Sequence, residues 1–235
     1  MLLANTLNIL CFGDSLTAGF SHVGAPDHPY GLSLETSLRA KFPELNVTVD
    51  VQGRGGDLVI SPPGQFLPRI KTGFCLIFAT DSSPILDRNN SLQSYDFAII
   101  LGGTNDLSVK MQTVSIWPAL QKVWSVPLSH STKVLAMTVP ECANCDSKFN
   151  AERDALNSLI LGHKTNNLYK FDYSSAIPYC GMPKHKRDAI WDDHLHLTER
   201  GYDLLGNLVA DRLAEIIRAS ERNDEVGDDK CKKEL

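Results

Sequence analysis

Short apolar runs alternate along this chain with longer segments in which apolar residues return every three or four positions. Leu7–Phe12 is an unbroken apolar run but for Asn8, stopped by Gly13, and reads as a buried strand. Asn46–Val51 alternates like a short strand, and Tyr95–Leu101 has the pattern of another buried one. Lys133–Val139 and Leu168–Tyr173 complete the set of predicted strands. Between them lie helical patterns over Gly31–Phe42, where Leu34 and Leu38 share a face and Pro43 closes the segment, over Val114–Leu128 and over Ser147–His163. A last helix starts at Thr198 as its N-cap and is expected to end near Ser220.

One stretch resists this reading. In Ile60–Ser94 the pair Pro62-Pro63 breaks any element, Gln65–Ile70 offers the start of a helix, and Phe74–Phe78 is apolar without an evident home. The stretch is treated as a possible insertion at 60–94. Residues 221–235 are charged and poor in apolar residues, and a disordered tail is expected there.

Strands alternating with helices, without internal repeat, imply βαβ crossovers and a mainly parallel central sheet with helices on both faces, an α/β fold. At 235 residues the chain suits a single domain over 1–220, since two would each have a small core. A hydrophobic content of 43% and a charged content of 22% are those of an ordinary globular protein. The 28 acidic residues outnumber the 23 basic ones, which argues against nucleic acid or an anionic membrane as the main partner. No apolar run approaches the roughly 20 residues that span a bilayer. Met1–Ala4 carries no basic region, and the first apolar run leads straight into Gly13-Asp14-Ser15, so cleavage behind it would destroy that motif. The expected location is intracellular, in the cytoplasm. The six scattered cysteines are expected to be reduced thiols there, Cys142 and Cys145 included.

Four polar motifs each follow a predicted strand or precede a helix, and loops of that kind gather on one edge of a parallel sheet. Ser15 is the candidate nucleophile, a weak one until a base takes its proton. His196 is the candidate base, because imidazole, with a reference pKa of about 6.5, accepts and returns a proton near neutrality. Asp193, three residues earlier, can hold the far ring nitrogen, while the spacer Leu195 turns His194 another way. Asn105 offers a side-chain N–H and Gly56 an unobstructed backbone N–H to an oxyanion, with the Ser15 amide as a third donor. Gly55 is an alternative to Gly56 by a one-residue shift. Each motif alone has an ordinary structural explanation as a cap or turn; together they make a specific constellation.

Gly13-Asp14-Ser15-Leu16, Gly53–Asp57, Gly102-Gly103-Thr104-Asn105-Asp106 and Asp193-His194-Leu195-His196 resemble, in order, the four blocks of the SGNH hydrolases, the GDSL esterase/lipase superfamily. The resemblance spans about 8–215. It implies a flavodoxin-like three-layer α/β/α sandwich and ester hydrolysis through an acyl-serine, with no cofactor and no metal. It puts the nucleophile at Ser15, the Asp–His pair at Asp193 and His196, and the oxyanion donors at Ser15, Gly56 and Asn105. Many members carry glycine where this chain has His194, which adds bulk beside the base. A small-molecule, lipid or sugar ester is the implied substrate.

Rival readings remain in the sequence. His194, His196, Asp192, Asp193 and Cys142-Ala143-Asn144-Cys145 supply metal-ligand types, although one Cys-X-X-Cys pair is a weak zinc signal. The same scaffold can serve as a non-catalytic binding domain, and the same serine can pass its acyl group to another acceptor as an acyltransferase, or act on thioesters.

Overall fold

The computed structural model describes residues 6–22, 25–78 and 95–231. In chain order, β1 (Thr6–Gly13) leads to the single turn α1 (Ser15–Ala18) and to α2 (Gly31–Lys41). Then β2 (Asn46–Gly53) is followed by α3 (Phe66–Phe78), and β3 (Phe97–Leu101) by α4 (Thr104–Ser108) and α5 (Thr113–Ser129). Next, β4 (Lys133–Met137) precedes α6 (Ser147–Gly162). Finally, β5 (Leu168–Phe171) precedes α7 (Tyr173–Ala176), α8 (Lys184–Ile190) and α9 (Glu199–Cys231).

The five strands form one sheet in the order β2-β1-β3-β4-β5, and every pairing is parallel. Parallel neighbours cannot be joined by tight hairpins, so each connection crosses a face and carries a helix. The inner strands alternate between two apolar layers. On β1, Leu7, Ile9 and Cys11 join the layer covered by α2 and α9, while Leu10 and Phe12 join the layer covered by α3, α5 and α6. Phe97, Ile99 and Leu101 of β3 follow the first set, and Ala98 and Ile100 the second. Burial on both faces explains why β1 and β3 read as apolar runs, while the edge strand β2 alternates because only its Val47, Val49 and Val51 face a core. This is the three-layer α/β/α arrangement expected from the sequence.

Two segments differ from expectation. Part of the unassigned 60–94 stretch is the helix α3, whose Phe66, Ile70 and Phe74 are buried at four-residue spacing against the sheet. Residues 79–94 lie outside the described residues. At the other end, α9 continues to Cys231, where a disordered tail was expected from residue 221. Its apolar stripe of Tyr202, Leu205, Val209, Leu213 and Ile216 anchors the helix to the core. Once a helix is nucleated, each further residue adds a backbone hydrogen bond at little cost, and no proline follows to stop it. Among the described residues, no helix is long and apolar enough to cross a membrane.

The strand order reverses between β1 and β3. The chain moves outward from β1 to β2, then returns to the other side of β1. Open α/β sheets bind ligands outside the carboxyl ends of their strands at such a reversal. Gly13, at the end of β1, is in register with Leu101 of β3 and with Gly53 of β2. Three of the polar motifs therefore leave the sheet side by side.

Candidate active site

Ser15 opens α1 directly after β1, with no loop between the strand and the turn. The neighbouring Asp14 caps that turn: its Oδ1 accepts the Leu16 N–H at 3.0 Å. So abrupt a turn leaves no room for side chains beneath it. A Cβ at Gly13 would stand 2.1 Å from Thr17 Oγ1, and one at Gly53 would stand 2.1 Å from the Ala18 nitrogen. Glycine at both strand ends lets α1 sit down on the sheet edge and presents the Ser15 hydroxyl outward, partly exposed.

His196 arrives from the other end of the chain. Trp191 and Leu197 form an antiparallel bridge, and the Asp192 N–H donates to the His196 carbonyl at 2.9 Å, which closes 192–196 into a tight loop. Within it, Asp193 Oδ1 accepts the backbone N–H groups of Leu195 and His196 at 2.6 and 2.5 Å. The other oxygen, Oδ2, lies 2.8 Å from His196 Nδ1, and His196 Nε2 lies 2.9 Å from Ser15 Oγ. A carboxylate can only accept, so Nδ1 carries the proton and the lone pair of Nε2 faces the serine hydroxyl. Partial burial works to raise the Asp193 pKa. The backbone and ring of His196 and the Leu195 N–H outweigh it and hold the carboxyl below its usual range. The other two members of the motif turn elsewhere. Asp192 faces His22 at 3.7 Å, and His194 Nε2 lies 3.4 Å from Asn144 Nδ2.

Asn105 stands in the first turn of α4, after Gly103 has turned the chain with a φ of 110°. Its Nδ2 donates to the Asp57 carbonyl at 3.0 Å and makes a longer 3.4 Å contact with Asp14 Oδ2. The side chain thus spans from the residue beside Ser15 to the residue beside Gly56. Gly56 has a φ of +71° in the turn that the Asp57 N–H closes on the Arg54 carbonyl at 3.2 Å. Gly55 lies nearer the serine, with its would-be Cβ 4.0 Å from Ser15 Cβ. All the residues singled out in the sequence gather at this edge, with both glycines in one turn.

Several other members of the site were only motif letters in the sequence, or had no role at all. Asp106 accepts the N–H groups of Val59 and Ile60 at 2.9 and 3.0 Å, which pins the chain after the glycine turn to the start of α4. Burial raises its pKa against those two bonds. Asp14 is fully buried, and loss of hydration pushes its pKa up to about 7 against the Leu16 N–H bond, with Asp106 and Asp57 adding negative charge nearby. Asp57 is paired with Arg69 of α3 at 2.6 Å. Phe20 packs edge-on against the His196 ring, 4.8 Å between centres, and its carbonyl accepts the Tyr202 hydroxyl at 2.6 Å. The available signal was three acids in three motifs: buried carboxylates need donors, and a cation between them in sequence was the place to look.

The cysteines correct one expectation. Cys142 and Cys145 form a disulfide, not two thiols. Asn144, at a φ of 58°, turns the chain so that their Cα atoms come 5.8 Å apart, within bridging range. The loop they close braces the histidine loop, since the Ala143 N–H donates to the His194 carbonyl at 2.8 Å. Cys11 is a buried thiol whose pKa desolvation pushes up to about 12, and Cys180 is an exposed one. Among the described residues, no group of three or more His, Cys, Asp or Glu side chains gathers as a metal site.

No curated protein matches the sequence. The solved structure of Est24, a carbohydrate acetylesterase from Sinorhizobium meliloti, superposes with a TM-score of 0.59 at 19% identity, over 89% of this chain and 99% of that one. The inhibitor-bound aryl esterase of M. smegmatis gives 0.59 at 20% identity over the same shares. A member of the lipolytic G-D-S-L family from Veillonella parvula gives 0.60 at 18%, over 87% and 97%. At such identities the likeness shows the shared fold. The profile of the GDSL-like Lipase/Acylhydrolase family matches residues 11–204, which include every residue of the constellation. The chain therefore belongs to the GDSL-like lipase/acylhydrolase family, and with it to the carboxylic ester hydrolases.

Proposed function

We propose that this protein cleaves carboxylic esters through an acyl-enzyme on Ser15. The observation that carries the reading is the unbroken relay from Ser15 Oγ to His196 at 2.9 Å and from His196 to Asp193 at 2.8 Å. As Oγ attacks the ester carbonyl, Nε2 of His196 takes its proton, and the Asp193 carboxylate steadies the imidazolium that forms. The carbonyl oxygen becomes negative and accepts N–H bonds from the Ser15 amide, the glycine turn and Asn105. Of the two Asn105 amide hydrogens, one is committed to the Asp57 carbonyl. The other makes only the long contact with Asp14, and it is the one left to donate to the oxyanion while the Asp57 bond holds the amide in place. His196 then protonates the departing alcohol, and water repeats the sequence to release the acid.

A fluorophosphonate probe tests this assignment. The folded protein should be phosphonylated on the peptide that contains Ser15, and Ser15→Ala should abolish the label. His196→Ala should slow labelling by orders of magnitude, because the hydroxyl loses its base. Absence of label in folded protein would favour a binding domain on the same scaffold. Aryl esters and acetylated carbohydrates, the substrate types in the names of two structural relatives, are the first panel for turnover.

A further inference from the structure

We infer that Arg69 is a positioning residue of the oxyanion hole, acting through Asp57 on Asn105; the inference rests on the ester-hydrolase reading above. Arg69 lies on α3, outside all four motifs. Its Nη1 donates to Asp57 Oδ2 at 2.6 Å and to the Gly13 carbonyl at 3.3 Å, and its Nη2 donates to the Gln52 carbonyl at 2.5 Å. Gly13 and Gln52 lie at the carboxyl ends of β1 and β2, so one guanidinium ties both strand ends to the glycine-rich turn. Its Cζ also sits 4.6 Å from the centre of the Phe12 ring and 5.8 Å from that of Phe66.

The contact with Asp57 is nearly dry. The Asp57 side chain is 3% exposed, and its second oxygen accepts the N–H groups of Leu58 and Gln65 at 2.9 and 2.7 Å. Three donors from three directions leave this carboxylate no freedom to rotate. The backbone carbonyl of the same residue then takes the Asn105 Nδ2–H at 3.0 Å. Fixing the Asp57 side chain thus fixes the carbonyl that aims the Asn105 amide. An oxyanion donor is worth most when it is oriented before charge develops, because none of its binding is then spent on reorientation. Arginine suits the task, since its planar fork reaches a carboxylate and two carbonyls at once, and lysine offers a single point charge.

The test compares kcat and KM on one p-nitrophenyl ester for Arg69→Met and Arg69→Lys, each alone and combined with Asn105→Ala. Methionine keeps the packing on Phe12 and Phe66 but removes every donor. Arg69→Met should lower kcat on the order of tenfold to a hundredfold, the scale of a small misplacement, with KM changed less than about twofold. Arg69→Lys, which retains a counterion for Asp57, should lose less. In the Asn105→Ala background Arg69→Met should subtract less than about threefold more, because the group it positions is gone. An undiminished loss in that background, or a loss carried by KM, overturns the inference while leaving the oxyanion hole intact. An unchanged kcat in Asn105→Ala alone overturns the oxyanion reading and the inference with it. If Arg69→Met does not fold, Arg69→Lys carries the comparison: full activity, or a loss that persists without Asn105, overturns the inference.

Discussion

Ser15 differs from any surface serine only in what surrounds its oxygen. With Nε2 of His196 at 2.9 Å, Ser15→Ala and His196→Ala should each remove nearly all turnover, and the double variant should be no worse than either single one. Measurement of kcat/KM for the three variants checks this, and fully additive losses would break the pair. Asn105→Ala should cost about a hundredfold in kcat with a smaller change in KM, since its bond strengthens as the oxyanion forms. Asp14 gives a prediction about stability. Its pKa of about 7 in the fold lies above the value of about 3.9 in an unfolded chain. Its contribution is therefore full below about pH 4 and is lost as the pH climbs toward 7, at up to about 1.4 kcal/mol per pH unit. The unfolding free energy of wild type, measured against Asp14→Asn, should fall across that window and level off above it. A difference that stays constant with pH would contradict the burial of an ionisable Asp14. The residues proposed as nucleophile, base and oxyanion donors could be singled out in the sequence because that chemistry demands particular residue types at recognisable strand ends. Asp14, Asp57 and Asp106 were visible only as letters, because a buried carboxylate shows its role through its donors. Five of those donors are backbone N–H groups, at Leu16, Leu58, Gln65, Val59 and Ile60, that have no signature in sequence.

Among the elements, the strands and long helices were readable because burial on two faces leaves a dense apolar signature. The boundaries differed by a residue or two, as where Tyr173 starts α7 instead of ending β5. Only the start of helix α3 could be read, at Gln65–Ile70. Its Phe66, Ile70 and Phe74 keep helical spacing, but Pro68 and Gly73 interrupt the run and Pro62-Pro63 precedes it. If α3 is the core element described, Phe74→Ala should destabilise the fold by about 3–5 kcal/mol in urea unfolding. A cost below about 1 kcal/mol would be that of a surface position and would contradict its packing on the sheet. The disulfide was illegible for a different reason. Pairing of Cys142 with Cys145 depends on the left-handed turn at Asn144, and spacing alone does not announce it. The full extent of α9 was missed because its last turns carry no apolar stripe in the sequence.

At the scale of the whole molecule, one topological fact organises the rest. The sheet order β2-β1-β3-β4-β5 sets Gly13 between Gly53 and Leu101, so the serine turn, the glycine turn and the asparagine helix emerge together. The histidine loop comes from the far end of the sequence, and α9 behind it packs against α2 on the same layer. Residues 181 positions apart thus meet across one hydrogen bond. An acyl-enzyme requires a covalent bond between substrate and Ser15, which mass spectrometry of rapidly quenched p-nitrophenyl acetate turnover detects. An acetyl group should appear on the Ser15 peptide during turnover, and Ser15→Ala should be inactive and carry none. Undiminished hydrolysis by Ser15→Ala, with no acetylated peptide from wild type, would rule out an acyl-enzyme on Ser15.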